Sequence, residues 1–348
     1  MNNRSGCILS VDAGGTFLKA ALIQKAHESA ELVEGSFFKV PVDSDGNAEK
    51  IKAAYSEAAF RGMELSEKNK IPLEGISVCI PGPFDYSGGI CLMEHKYRAI
   101  YGIPMRPWFE QVIGKIPIRF LHDSTAFLLG ATWNHRYSRF RRIAGVIIGT
   151  GLGFASMFDG KVFENDRGGP GISIYARPCR GKTAEDYVSR RALIAHYREL
   201  RKVAGAESTF DSAGKGTDNA GMDTGNTGID AGNIRMDAVD MANLARSGQA
   251  EAIMAFEDMG ICLAEILYDI INDNGFECLL LGGGISKSAD LFLPAMRRKL
   301  AEIPTLKVIE AIDPIDDASL LGAARAMWMQ QQEHCGCSSL SNVDTAAI

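Results

Sequence analysis

Two glycine turns far apart in the chain carry its most informative chemistry. The first is Asp12–Ala13–Gly14–Gly15–Thr16, flanked by the apolar runs Cys7–Val11 and Phe17–Ile23. The second is Gly149–Thr150–Gly151–Leu152–Gly153, flanked by Ile143–Ile148 and Phe154–Met157. Each reads as strand, tight turn, strand. Neither turn opens a helix, which excludes a Walker-type loop and a dinucleotide fingerprint. A glycine turn bares backbone N–H groups, and a threonine adds a hydroxyl donor, so each concavity suits a phosphate. Either turn alone reads as an ordinary hairpin. The pair suggests two similar lobes gripping one nucleotide.

Two carboxylates accompany the turns. Asp12 ends the first strand, where it could hold Mg²⁺ through water, an ion that prefers oxygen ligands and keeps part of its hydration shell; the plainer reading is a turn aspartate bonding its own backbone. Asp123 stands between the strand Ile118–Leu121 and a helix expected over Ser124–Trp133. It reads equally as a helix N-cap and as a general base that takes a hydroxyl proton late in phosphoryl transfer. Gly282–Gly283–Gly284, after the buried strand Cys278–Leu281, would let a flat ring such as adenine approach the backbone.

These residues need an α/β frame. Helices are expected over Asn47–Asn69, Ala184–Leu200 (capped by Thr183), Ala238–Asn274 with a break near Ser247–Gly248, Ala289–Leu300 and Ala318–Met329, and a last strand over Leu306–Ile309. They alternate with the strands in both halves, which predicts layered α/β architecture. Residues 205–235 are dominated by Gly, Asp, Asn, Ser and Thr and read as a flexible surface insertion; the polar end 334–348 reads as a mobile tail.

The 348 residues have a formal charge of −6, with 46% hydrophobic and 23% charged residues. That balance fits a globular protein and gives no footprint for nucleic acid. No apolar run is long enough for a membrane span, the start lacks a signal-peptide pattern, and the eight cysteines show no disulfide framework. A cytoplasmic protein is expected.

In order and spacing, Asp12–Ala–Gly–Gly–Thr16, Ile80–Pro–Gly–Pro83, His122–Asp–Ser124, Gly149–Thr–Gly–Leu–Gly153, Leu281–Gly–Gly–Gly284 and Ala318–Ser–Leu–Leu–Gly–Ala–Ala324 resemble the ROK family of repressors, open reading frames and sugar kinases, across about residues 7–328. The resemblance implies a two-lobed, ribonuclease H-like/actin-like ATPase fold with an interlobe cleft. One lobe would span 1–121 with 318–333 returning to it, the other 122–317. It implies ATP-dependent sugar phosphorylation of the glucokinase type. Asp123 would be the base, Asp12, Gly14, Gly15, Thr16, Thr150 and Gly151 would serve phosphates and Mg²⁺, and Gly283 and Gly284 the adenosine. Gly82, Lys96, His122, Asp123 and Glu185 would face the sugar. A homodimer is expected, and DNA binding is not, since only six residues precede the first strand.

The departures are specific. His122 replaces the family's Asn, and Gly169 and Ile172 replace the Glu and His of its sugar motif; only Cys179 remains of the zinc-binding cysteines, so no structural zinc is expected. A rewritten sugar pocket should bind plain glucose weakly. The alternatives are a kinase for an acidic or N-acylated sugar and a catalytically weak sensor of the same fold; polyphosphate as donor stays open.

Overall fold

The computed structural model describes residues 6–26, 29–94, 96–133, 135–204, 236–312 and 315–334. The expected insertion at 205–235 lies outside them, as does the expected tail beyond residue 334.

The first sheet is built from β1 (Cys7–Ala13), β2 (Phe17–Ala26), β3 (Ser29–Leu32), β4 (Phe38–Pro41), β5 (Leu73–Cys79) and β6 (Ile118–Leu121), in the order β3-β2-β1-β5-β6, with β4 also pairing β2. Central β1 has lost nearly all its solvent contact on both faces, which explains its unbroken apolar run. It pairs antiparallel with β2, placing Asp12 opposite Lys19, and parallel with β5, placing Asp12 opposite Cys79. The second sheet uses β7 (Arg142–Ile148), β8 (Leu152–Phe158), β9 (Lys161–Val162), β10 (Cys278–Gly282) and β11 (Val308–Ala311), in the order β9-β8-β7-β10-β11. Its plan repeats the first: an antiparallel hairpin whose first strand pairs parallel with a neighbour on its other side, which in turn pairs parallel with a further strand.

Helices α1 (Ala48–Asn69) and α2 (Arg106–Ile113) belong with the first sheet, and Asn47 caps α1 by accepting from the Lys50 N–H. Helix α3 (Asp123–Ala131) follows β6 directly. Helices α4 (Arg190–Val203), α5 (Ala238–Arg246), α6 (Ala250–Asn274) and α7 (Ala289–Leu300) pack beside the second sheet around Phe256, Leu263 and Phe292. Helix α8 (Ile315–His334) lies on β1 and β5 and crosses α3.

That crossing is backbone on backbone. A Cβ on Gly130 would stand 1.9 Å from the Ala318 carbonyl oxygen, and one on Gly322 would stand 1.7 Å from that of Ala126. Glycine at both positions lets the helices meet closer than any side chain allows.

Two expectations need correcting, and one helix was not foreseen. The helix expected over Ala184–Leu200 is a short 3₁₀ turn, Ala184–Asp186, followed by α4 from Arg190. Two caps compete for the segment: the Thr183–Asp186 box closes the first turn, and extended Ser189 starts afresh by accepting from the Ala192 N–H. Helix α2 escaped notice because Pro107 sits in its first turn, where proline is well tolerated but looks like a break. The last strand is Val308–Ala311 rather than Leu306–Ile309, its start set by pairing of Val308 with Cys278.

Candidate functional site

The two glycine turns lie at corresponding ends of their sheets. In the first, the Gly14 N–H donates to the Phe17 carbonyl, and a Cβ on Gly14 would stand 2.8 Å from that oxygen. Gly14 and Gly15 are exposed and Thr16 is half-buried. In the second, the Gly149 N–H donates to the Gly151 carbonyl, and exposed Thr150 forms the tip. Gly283 has φ +83° and approaches the Ile148 backbone so closely that a Cβ would stand 2.5 Å from its carbonyl oxygen. Beside it, Gly284 is exposed and faces open space. The pair Gly283–Gly284 combines a tight turn with a bare face against which a flat ring could lie.

Asp123 is the first residue of α3, and His122 is the cap, so Asp123 is not the N-cap residue that its position suggested. Asp123 Oδ1 accepts from the Ser124 N–H at 2.7 Å and lies 2.8 Å from His122 Nδ1. Ser124 Oγ is 2.7 Å from the same ring nitrogen and donates its hydroxyl to the Phe154 carbonyl at 2.8 Å. With the serine proton committed there, His122 Nδ1 carries a hydrogen that is shared toward Oδ1 and Oγ. Oδ1 is therefore engaged, and Oδ2 is the oxygen left to work.

Burial alone would raise the Asp123 pKa, but His122, the Ser124 N–H and the Lys96 charge together hold the carboxyl below its ordinary range. The side chain remains 35% exposed and can be reached by an acceptor. A Cβ on Gly153 would stand 3.7 Å from Asp123 Oδ1, so the carboxylate adjoins the second turn. A Cβ on Gly82 would stand 3.6–3.7 Å from the His122 ring, which brings the Pro81–Gly82–Pro83 loop to the same place.

Asp12 behaves in the opposite way. Burial first, and the facing Asp123 charge second, push its pKa up to about 6, while Lys19 opposes them. An acid held in this way is an oxygen donor whose ionisation a cation would relieve, so the site fits Mg²⁺. Among the described residues, no group of three His, Cys, Asp or Glu side chains is placed to hold a metal unaided.

The sign of the pH effect follows. Asp12 in the folded chain keeps its proton to about pH 6, whereas unfolded aspartate loses it near 3.8. This group's contribution to stability is greatest below pH 4 and is lost as the pH rises through 6. Asp12→Asn should therefore raise stability by about 1–2 kcal/mol at pH 8, partial exposure considered, and by nothing near pH 3.5. Thermal melts at the two pH values check this, and Mg²⁺ should raise the melting temperature of the wild type alone.

Glu185 is found at the second turn. Its Oε2 accepts from the Leu152 N–H at 3.0 Å and would lie 2.7 Å from a Cβ on Gly151. Sequence reasoning placed Glu185 with the sugar and did not foresee this bond, since nothing local links residues 33 apart. Tyr97 was missed entirely. It is fully buried at φ +52°, and its hydroxyl donates to the Gly14 carbonyl at 2.5 Å. Gly169 lies against Tyr86 and Asn165, and Ile172 packs on the core of the second lobe with Cys179. Neither position offers a side-chain hydrogen bond.

Comparison with known proteins follows the same lines. Residues 8–332 match the model of the ROK family. A glucokinase of Thermotoga maritima is 22% identical, over 91% of this chain and 96% of its own. An N-acetyl-D-glucosamine kinase of Vibrio cholerae is 24% identical, over 65% of this chain and 70% of its own. The crystal structure of a ROK family glucokinase from Streptomyces griseus, in complex with glucose and AMPPNP, superposes with a TM-score of 0.69 at 20% identity, covering 92% of this chain and 99% of that one. Such neighbours have the two-lobed actin-like ATPase fold, as expected from the two matching sheets. A family match over nearly the whole chain, on a fold with two glycine turns in matching sheets, means that the protein belongs to the ROK family.

Proposed function

We propose that the protein is an ATP-dependent sugar kinase that transfers the γ-phosphoryl group to a hydroxyl held at Asp123. The observation that carries this reading is the position of Asp123: its carboxylate adjoins Gly153 of the second turn, feels Asp12 of the first, and faces Lys96. Gly14, Gly15, Thr16, Thr150 and Gly151 would receive the phosphates, and Gly283 and Gly284 the adenosine. Bound at Asp12 through water, Mg²⁺ would neutralise charge on the phosphates. Asp123 Oδ2 would accept the hydroxyl proton as the O–P bond forms. A carboxylate held below its ordinary range is a weak base, which suits a reaction in which the proton leaves late.

His122 keeps Oδ1 turned away from the acceptor, and Lys96 steadies the negative charge. With Gly169 and Ile172 apolar, one side of the acceptor finds no hydrogen-bond partner, at a cost of about 1–3 kcal/mol for a bare hydroxyl. An N-acylated or otherwise modified hexose should therefore outperform glucose, in line with the N-acetyl-D-glucosamine kinase relative. The test is ATP turnover against a panel of hexoses, N-acetylhexosamines and sugar acids. Glucose should need millimolar KM or worse. Tight, fast glucose turnover would remove the acceptor assignment, and no turnover with any sugar would remove the kinase.

A further inference from the structure

Each glycine turn is held by one side chain from a segment distant in sequence that packs in the same core as the turn. We infer that Tyr97 and Glu185 are positioning residues that fix the two phosphate turns; the inference rests on the kinase reading for its use but not for its geometry.

Tyr97 follows Lys96, whose charge reaches Asp123. Its N–H donates to the Ser44 carbonyl at 2.7 Å, its hydroxyl donates to the Gly14 carbonyl at 2.5 Å, and the Ser44 N–H in turn donates to the Gly15 carbonyl at 3.0 Å. A closed ring of bonds thus joins the Lys96 segment to the first turn. Tyr97 holds a left-handed backbone conformation, unfavourable for an aromatic residue, and that strain persists only where surrounding contacts over-determine it.

Glu185 does the corresponding work at the second turn. The chain clamps that turn from both sides: the carboxylate takes the Leu152 N–H, and the Arg190 N–H donates to the Gly149 carbonyl at 2.8 Å. The Glu185 N–H is itself bonded to the Tyr175 carbonyl at 3.1 Å. The carboxylate occupies the space beside Gly151 that any other residue there would fill. Through Oε2, Glu185 therefore acts on the second turn.

Three variants test this: Tyr97→Phe, Glu185→Ala and Glu185→Gln. Two measurements are made, binding of AMPPNP with Mg²⁺ by calorimetry and amide hydrogen exchange of the ligand-free proteins. Tyr97→Phe should weaken AMPPNP about tenfold, the worth of one hydrogen bond, and speed exchange around residues 13–17. Glu185→Ala should do the same and speed exchange at Leu152, whereas Glu185→Gln, whose amide oxygen still accepts, should stay within about twofold of wild type. The inference is overturned if exchange at both turns is unchanged in Tyr97→Phe and Glu185→Ala. It is equally overturned if Glu185→Gln falls as far as Glu185→Ala, since charge and not the turn would then matter. If wild type binds no AMPPNP while exchange still rises as stated, the positioning role stands and the kinase reading fails.

Discussion

Asp123→Asn is expected to lose two to four orders of magnitude in kcat while keeping the fold and nucleotide binding. An asparagine oxygen can still accept from the Ser124 N–H and from His122, so the start of α3 is preserved. On the proposed reading, what disappears is the oxygen that takes the acceptor proton, and a missing general base costs about 10²–10⁴ in rate. The effect should fall on kcat, with the KM for ATP within about threefold of wild type, because the bond network around the turns does not pass through Oδ2. Steady-state kinetics on the best sugar of the panel decides it. Undiminished turnover would place the base elsewhere in the cleft.

Gly322→Ala has the largest expected effect on stability. Its methyl group would have to occupy a point 1.7 Å from the Ala126 carbonyl oxygen, and the nearest alternatives are also backbone atoms of α3. No flexible side chain can yield, so the two helices must separate along their whole contact. Overpacking of ordinary cores costs about 1–3 kcal/mol, and a clash between backbones belongs at or above the upper end of that range. Urea unfolding should show a midpoint lowered by 1 M or more, given a slope of about 1–3 kcal/mol per molar. Gly248→Ala, in the exposed link between α5 and α6 with nothing within 4 Å of the added Cβ, controls for the general cost of placing alanine where φ is +92°. A Gly322→Ala midpoint no lower than that of the control would show that the crossing relaxes freely.

Much of this frame is legible in the residues themselves. The hairpins of β1–β2 and β7–β8 announce themselves through apolar runs interrupted by glycine, a local signal. The break between α5 and α6 is equally local, carried by Ser247–Gly248. Asp12 and Asp123 are legible as acids beside the two glycine turns, although each also has an ordinary reading, a turn aspartate for one and a helix cap for the other. The remainder depends on contacts distant in sequence. Tyr97 and Gly14 are 83 residues apart, and nothing near Tyr97 distinguishes it from a core aromatic. The role of Ser124 in assigning the His122 proton depends on the Phe154 carbonyl, 30 residues away. The division of 184–203 into a turn and a helix was hidden for another reason: the helical spacing of apolar residues continues across Ser189, and only cap chemistry breaks it.

The repetition of one strand plan in both sheets has a consequence for direction. A site made from two alike halves would, on its own, accept a linear ligand either way round. Here the leading strands differ: that of the first hairpin carries Asp12 next to its last residue, and the corresponding strand of the second runs out in Ile147 and Ile148. Gly283 and Gly284, attached to the second half, offer a bare platform. A molecule with a flat neutral end and a cation-bearing anionic end therefore meets a polar axis, with one half reading each end. Near-symmetry pairs the two turns, and Asp12 within the strand of one and the Gly283–Gly284 turn beside the other give the pair its sense.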